Sequence, residues 1–323
     1  MANRRTIVKR RKAVRNIRKI TRTMQLIATA RFQAAFNRAT ATKPYSEKLA
    51  EMVADLAAAD TSSDHPLMRR PEDVAASDLV VITSSRGLAG GYNAGVLRTA
   101  LEHIDERGEA GDKVNTIMVR KKGVNYFRFL KREMAETILG VGDMPSFDEV
   151  EPIAEKLMER FKAGEIASAH VAYMRFFSTS QQKPEVIQLL PLTREEGTRE
   201  ERAAGEVGEG APAAGTSTTQ PGITQPGTTQ PGTTRPGTTQ YEFMPDPQEL
   251  LDELLPATVR LRLYQAFTDA AVSEQIARMV AMKSATTAAE DKIKQLTREY
   301  NRARQTAITM ELLDIVGGAN ALG

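Results

Sequence analysis

The sequence predicts an α/β fold of two parts: a long antiparallel coiled coil, made by the N- and C-terminal helices, standing on a globular α/β domain. Three observations predict it. Both termini carry apolar residues at alternating steps of three and four, over stretches too long for a compact domain. Between them, short β-rich runs alternate with amphipathic stretches, the pattern of a mostly parallel sheet covered by helices. A segment almost without apolar residues then separates this region from the second helix.

Residues 1–60 form the first shaft segment, with a helix expected from residue 3 to about 57. Ile17, Ile20, Met24 and Ile27 have coiled-coil spacing. Ala28, Ala30, Ala34, Ala35 and Ala39 favour the helix and keep it slim. Pro44 should kink or restart it, because an interior proline costs about 3 kcal/mol. A continuous helix of this length spans roughly 80 Å and has to project from the domain.

Residues 74–193 read as a Rossmann-like α/β domain. Leu79–Thr83 is a buried strand, and the glycine-rich turn TSSRGLAGGYN (83–93) leads into a helix reaching about Arg107. Strands follow at Thr116–Arg120 and Glu136–Gly140 around a helix at Val124–Lys131. A helix at 148–163 and strands at His170–Phe176 and Glu185–Leu190 complete the domain. Residues 194–240 differ in kind: TTQPG, ITQPG, TTQPG and TTRPG follow one another from 218 to 237. A proline and a glycine every five residues cannot build a packed core, so this is expected to be a disordered or extended surface insertion. Residues 241–247 return to the domain.

The second shaft segment is 248–318, with Pro256 expected in its first turn. Ile276, Met279 and Met282 are spaced by three, a local stammer. From there Ala289, Ile293, Leu296, Tyr300, Ala303, Ala307 and Met310 keep strict 4–3 spacing. Gly317 and Gly318 are the expected stop. Two terminal helices of similar length pair antiparallel only if the α/β domain sits at their shared base.

The formal charge of +3 on 323 residues hides a split. Residues 1–46 hold 13 basic groups and no acid, leaving 31 basic against 41 acidic groups elsewhere. A cationic arm on an anionic body asks for a partner. One reading is a polyanion or nucleic acid, bound through the N-terminal helix. Residues 1–44 offer no Tyr or Trp as a stacking platform, and a phosphate-binding helix gives no reason for a matching C-terminal coil. A protein-facing cationic surface is therefore preferred.

The chemistry available is narrow. There is no Cys, hence no disulfide, thiolate metal site or thiol nucleophile. His65, His103 and His170 are scattered, and the expectation is no metal, no cofactor and no catalytic residue. The turn GLAGGYN lies where a phosphate loop would, but it matches neither GxxxxGK[ST] nor GxGxxG. No apolar run approaches the ~20 residues of a membrane helix, and the start lacks a signal-peptide core. The Arg-rich start is like a mitochondrial transit peptide, but its first serine is Ser46, which argues against one.

Four motifs carry a resemblance. KITRTMQLIATARF (19–32), TSSRGLAGGYN (83–93), RMVAMKSATTAAEDKI (278–293) and YNRARQTAITMELLDIVGGA (300–319) together resemble the γ subunits of F-type ATP synthases. The likeness covers nearly the whole chain except 194–240. It implies a non-catalytic rotor of a proton-translocating complex, with the coiled coil inside a ring of α and β subunits. The foot then rests on the membrane c-ring beside ε, so the chain meets the membrane only through the complex. The resemblance implies rotor–stator contacts at Lys19, Arg22 and Met24, met or braced by Glu274 and Arg278. It implies a polar grip on the ring at Arg304, Gln305, Thr309 and Glu311, and a c-ring side of the foot at Tyr241 and Phe243. The lack of a processed N-terminal extension points to the cytoplasmic face of a bacterial cell membrane. Ser85, Ala89 and Met244 depart from the family pattern, where Asp, Cys and Glu are usual. Plant-type γ subunits carry a redox-sensitive segment where 194–240 lies; without Cys, any regulation by this insertion is steric.

Overall fold

The computed structural model describes residues 4–59, 65–69, 71, 74–192 and 247–320. Its elements are α1 (Arg4–Ala59), β1 (Ala76–Ile82), α2 (Tyr92–Glu109), β2 (Lys113–Val119) and α3 (Lys121–Phe129). They continue with β3 (Glu136–Ile138), α4 (Phe147–Lys162), β4 (Ser168–Phe176), β5 (Gln182–Leu190) and α5 (Pro247–Asn320). The five strands lie in the order β3-β2-β1-β4-β5. All pairs are parallel except β4–β5, as expected of a mostly parallel sheet. The strand order reverses between β1 and β4, and the crevice at that point is where an open α/β sheet usually receives a ligand.

Both sheet faces are covered. On one face α2 and α3 pack Tyr92, Val96, Leu97, Val124 and Phe127 against Leu79, Val81 and Met118. On the other, α4 and the first turns of α5 bury Leu157, Phe161, Leu255, Val259, Leu263 and Phe267 against Val80, Ile82 and Val171. Thr83 ties β1 to β2: its hydroxyl donates to the Val119 carbonyl at 2.8 Å and accepts from the Gly123 N–H at 3.0 Å. A side chain at Gly123 would sit 2.1 Å from the Met118 sulfur, so only glycine fits there. Helix α4 begins at Ser146, whose N–H donates to the Glu149 carboxylate at 3.4 Å, half of a capping box.

The two long helices pair antiparallel. Arg11 lies over the Tyr300 ring at 5.1 Å, Arg18 faces Glu290 at 3.6 Å, and the Thr286 hydroxyl donates to Thr21 at 2.8 Å. On α5 the expected inward positions Ala289 and Leu296 are buried, with Ile293, Tyr300, Ala303 and Ala307 half-buried between them. On α1 the seam is one residue away from the expected one. Ile7, Thr21, Ala28, Ala35 and Ala39 are buried, while Ile17, Ile20 and Ile27 are 51%, 58% and 50% exposed. Small side chains let the helices approach closely, and the larger isoleucines are displaced to the outer surface.

Other expectations fail at helix ends. Helix α1 does not restart at Pro44 but continues through it; the backbone hydrogen bond that proline forgoes is the one to Thr40, which is exposed and can bond water. Pro256 lies inside α5, whose first position is Pro247. Helix α5 also continues through Gly317 and Gly318 to Asn320, because glycine permits termination without compelling it. The insertion 194–240 and the stretch 241–246 lie outside the described residues.

Candidate functional site

Register places Arg11 of α1 beside Tyr300 of α5, so Arg4, the first described residue of α1, lies near position 307 of its partner. Among the described residues, the last turns of α5 lie beyond α1. They are apolar on several faces: Ile308, Met310, Leu312, Leu313, Ile315 and Val316 are all exposed, so the expected seam position Met310 is not buried. Among them stand Arg304, Gln305, Thr309 and Glu311, each exposed, with the Thr309 hydroxyl donating to the Gln305 carbonyl at 3.0 Å. Polar and apolar side chains are thus brought together on the last turns of α5.

A second surface lies midway along α1. Lys19 and Arg22 are exposed, Arg22 donating to Gln25 at 3.1 Å, and Met24 is half-buried at the edge of the seam. The displaced Ile17, Ile20 and Ile27, with Leu26, give this basic surface an apolar component. Such a mixture suits a protein partner better than a phosphate backbone.

Glu274 and Arg278 do not lie on that surface. Both are buried where α5 leaves the foot, and Glu274 is 0% exposed. Its carboxylate accepts from Arg278 at 2.7 Å and from Arg120 at 3.1 Å. Burial pushes its carboxyl upward, and the Arg120 and Arg278 guanidinium groups pull it back. Arg278 also donates to Gln275 at 3.1 Å and to the Arg86 carbonyl at 3.4 Å, in the glycine-rich turn. Arg120 was not foreseen: it ends a β-run, and its partner is 154 residues distant. The one available signal is Glu274 itself, an acid inside the otherwise uncharged stretch AAVSEQIA (270–277).

The glycine-rich turn is occupied with its own structure and with the shaft. Ser84 N–H donates to Asn93 at 2.9 Å and its hydroxyl to the Arg86 carbonyl at 2.7 Å. Gly90, at φ +55°, lets the turn approach α5; a Cβ there would be 3.6 Å from the Ala277 carbonyl. Helix α5 lines the switch-point crevice, Ser273 and Ala277 facing Gly91, Tyr92 and Met174. Among the described residues no three His, Cys, Asp or Glu side chains lie together as a metal site, and no helix is long and apolar enough to cross a membrane. Tyr241 and Phe243 fall outside the described residues.

Lower on α5, Asp269 is buried against β4 and β5. Burial pushes its carboxyl up to about 7, countered by Arg175, Gln265 and the Phe176 N–H, while Glu185 adds to the rise. A carboxyl raised above its unfolded value binds its proton more tightly in the folded chain. Stability should therefore fall as pH climbs from about 4 to about 7 and stay reduced above it. Asp269→Asn is expected to flatten that slope and to unfold at higher temperature than the parent at pH 8, read by thermal melts across pH.

The family model for ATP synthase matches residues 3–322. The ATP synthase gamma chain of Rhodopirellula baltica is 41% identical over 322 residues, covering 100% of this chain and 99% of that one. The chain belongs to the ATP synthase γ chain family. The gamma chain of Frankia casuarinae is similar at 38% identity, covering 97% of this chain and 96% of that one. Among solved structures, a chain of the Euglena gracilis mitochondrial ATP synthase superposes with a TM-score of 0.60 at 18% identity, covering 99% of this chain and 94% of that one. That likeness is one of fold: paired terminal helices on an α/β foot. Membership makes this chain a subunit of an ATP synthase.

Proposed function

We propose that this chain is the central-stalk rotor of a proton-translocating ATP synthase, itself without catalytic residues. The exposed apolar end of α5 carries the reading. A helix end with exposed leucines, isoleucines and a valine is costly in water unless a partner covers it. A sleeve of α and β subunits would do so while leaving the helix free to turn. The c-ring and ε are the proposed partners of the foot, which puts the chain on the cytoplasmic face of a bacterial membrane.

Mechanically, the arrangement suits torque. One charge crossing the membrane carries only about 2.3 kcal/mol per 100 mV, so several steps have to accumulate without slippage. A two-helix shaft whose second helix is also a layer of the foot core cannot swivel freely on its base. The asymmetric shaft then drives the β sites through their binding states. The polyanion reading is weakened because Arg11, Arg18, Arg31 and Arg38 of the basic arm turn toward α5 or the foot.

The double variant Arg304→Ala/Gln305→Ala tests the grip at the shaft end. Loss of contacts worth about 1.4 kcal/mol should lower ATP turnover of the assembled complex about tenfold. Normal turnover with normal coupled synthesis would remove these residues from the contact.

A further inference from the structure

We propose that Arg120 is the positioning residue that sets the angle of the shaft on the foot, an assignment that rests on the rotor reading above. Its backbone lies at φ 69° and ψ 166°, a region nearly reserved for glycine. A bulky residue stays there only where its surroundings over-determine it. Those surroundings are polar and come from three directions. The guanidinium, 0% exposed, donates to Glu274 of α5 at 3.1 Å, to the Thr83 carbonyl at 3.4 Å, and to the Gly142 carbonyl.

The loop that supplies Gly142 also holds the other shaft helix. Asp143 accepts from Arg31 of α1 at 2.7 Å, and the Pro145 carbonyl accepts from Arg38 at 3.2 Å. Arg120 thus joins α5 to a loop that is joined to α1. The result is a polar collar around both helices where they leave the foot.

Direction is what distinguishes the collar from the core beneath it. Apolar packing is non-directional: it resists separation of α5 from the sheet but defines angle weakly. Hydrogen bonds weaken steeply as their angle departs from linear, and the planar arginine fork fixes two directions at once. An element that has to transmit rotation needs the second kind of contact at its joint. The strained backbone of Arg120 places the fork there.

The test compares Arg120→Gly with the parent chain. Glycine accepts φ 69° without strain, so the backbone keeps its path while the fork is lost. The chain has no native Cys, so Glu109→Cys on the foot and Lys292→Cys on the shaft give a unique spin-label pair. Both positions are exposed. The width of their distance distribution is measured on the full chain, alone and with α and β. Arg120–Glu274 is one of the two ion pairs of the collar, Arg31–Asp143 being the other, so its loss should increase the variance about twofold. Arg120→Lys, which keeps the charge without the fork, should fall between. Parental variance in Arg120→Gly would overturn the proposal. If that variant does not fold, Arg120→Gly/Glu274→Gln removes the carboxylate left behind. Folding with doubled variance then supports the proposal, whereas failure of both to fold assigns Arg120 a structural role and overturns it. A parent chain that never joins α and β counts against the rotor reading alone, because the joint is still measured on the free chain.

Discussion

Glu274→Ala should destabilise the assembled rotor by about 3–5 kcal/mol, read as a lower unfolding temperature of the foot. The carboxylate stands between Arg120 and Arg278, and all three side chains are buried. Such a cluster is a poor source of net stability when complete, since desolvation offsets most of the attraction. Removing its carboxylate is another matter, because two buried guanidinium groups then lose the anion to which both donate. Glu274→Gln should cost less than the alanine variant, because it keeps an acceptor for both forks. A loss below about 1 kcal/mol in Glu274→Ala would mean that water or another acid reaches the site in place of Glu274.

Phe267→Ala should cost about 3–5 kcal/mol, by loss of transfer free energy and by the cavity left behind. The ring is 0% exposed within the cluster shared by α4, α5 and one face of the sheet. It lies between the foot half of α5 and the half that pairs with α1, so the vacancy loosens the seat of the shaft. The expected signature is a lowered unfolding temperature together with reduced coupled synthesis. Full coupling at a much reduced stability would show that this seat does not bear torque.

The fold was legible wherever periodicity is enforced by burial on both sides. Leu79–Ile82 is apolar throughout because helices cover both sheet faces, and the α5 seam from Ala289 to Ala307 keeps its spacing against a single partner. The α1 seam was misread by one residue because spacing alone favours the larger side chains. Ile17 and Ile20 outrank Thr21 in hydropathy, yet the close approach of two helices selects the smaller residues. The chain ends of helices were unreliable for a related reason: Pro256 and Gly317 permit a boundary, and the surrounding helix overrides them.

Of the candidate site, the terminal cluster at Arg304–Glu311 sits on an exposed helix end, as a contact surface requires. The collar was not legible. Arg120 and Glu274 are far apart in sequence, and a charged residue ending a strand ordinarily faces solvent. Only the tertiary arrangement shows that α5 lines the crevice beside them. The motif match assigned Glu274 and Arg278 to the rotor–stator contact, whereas both side chains are buried at the foot.

The most direct test is rotation itself. The chain, labelled through Glu109→Cys on its foot, is assembled with α and β subunits held on a surface and supplied with ATP. The rotor account predicts stepwise rotation of the label in one direction during hydrolysis. A complex that hydrolyses ATP at full rate while the label stays fixed would contradict it.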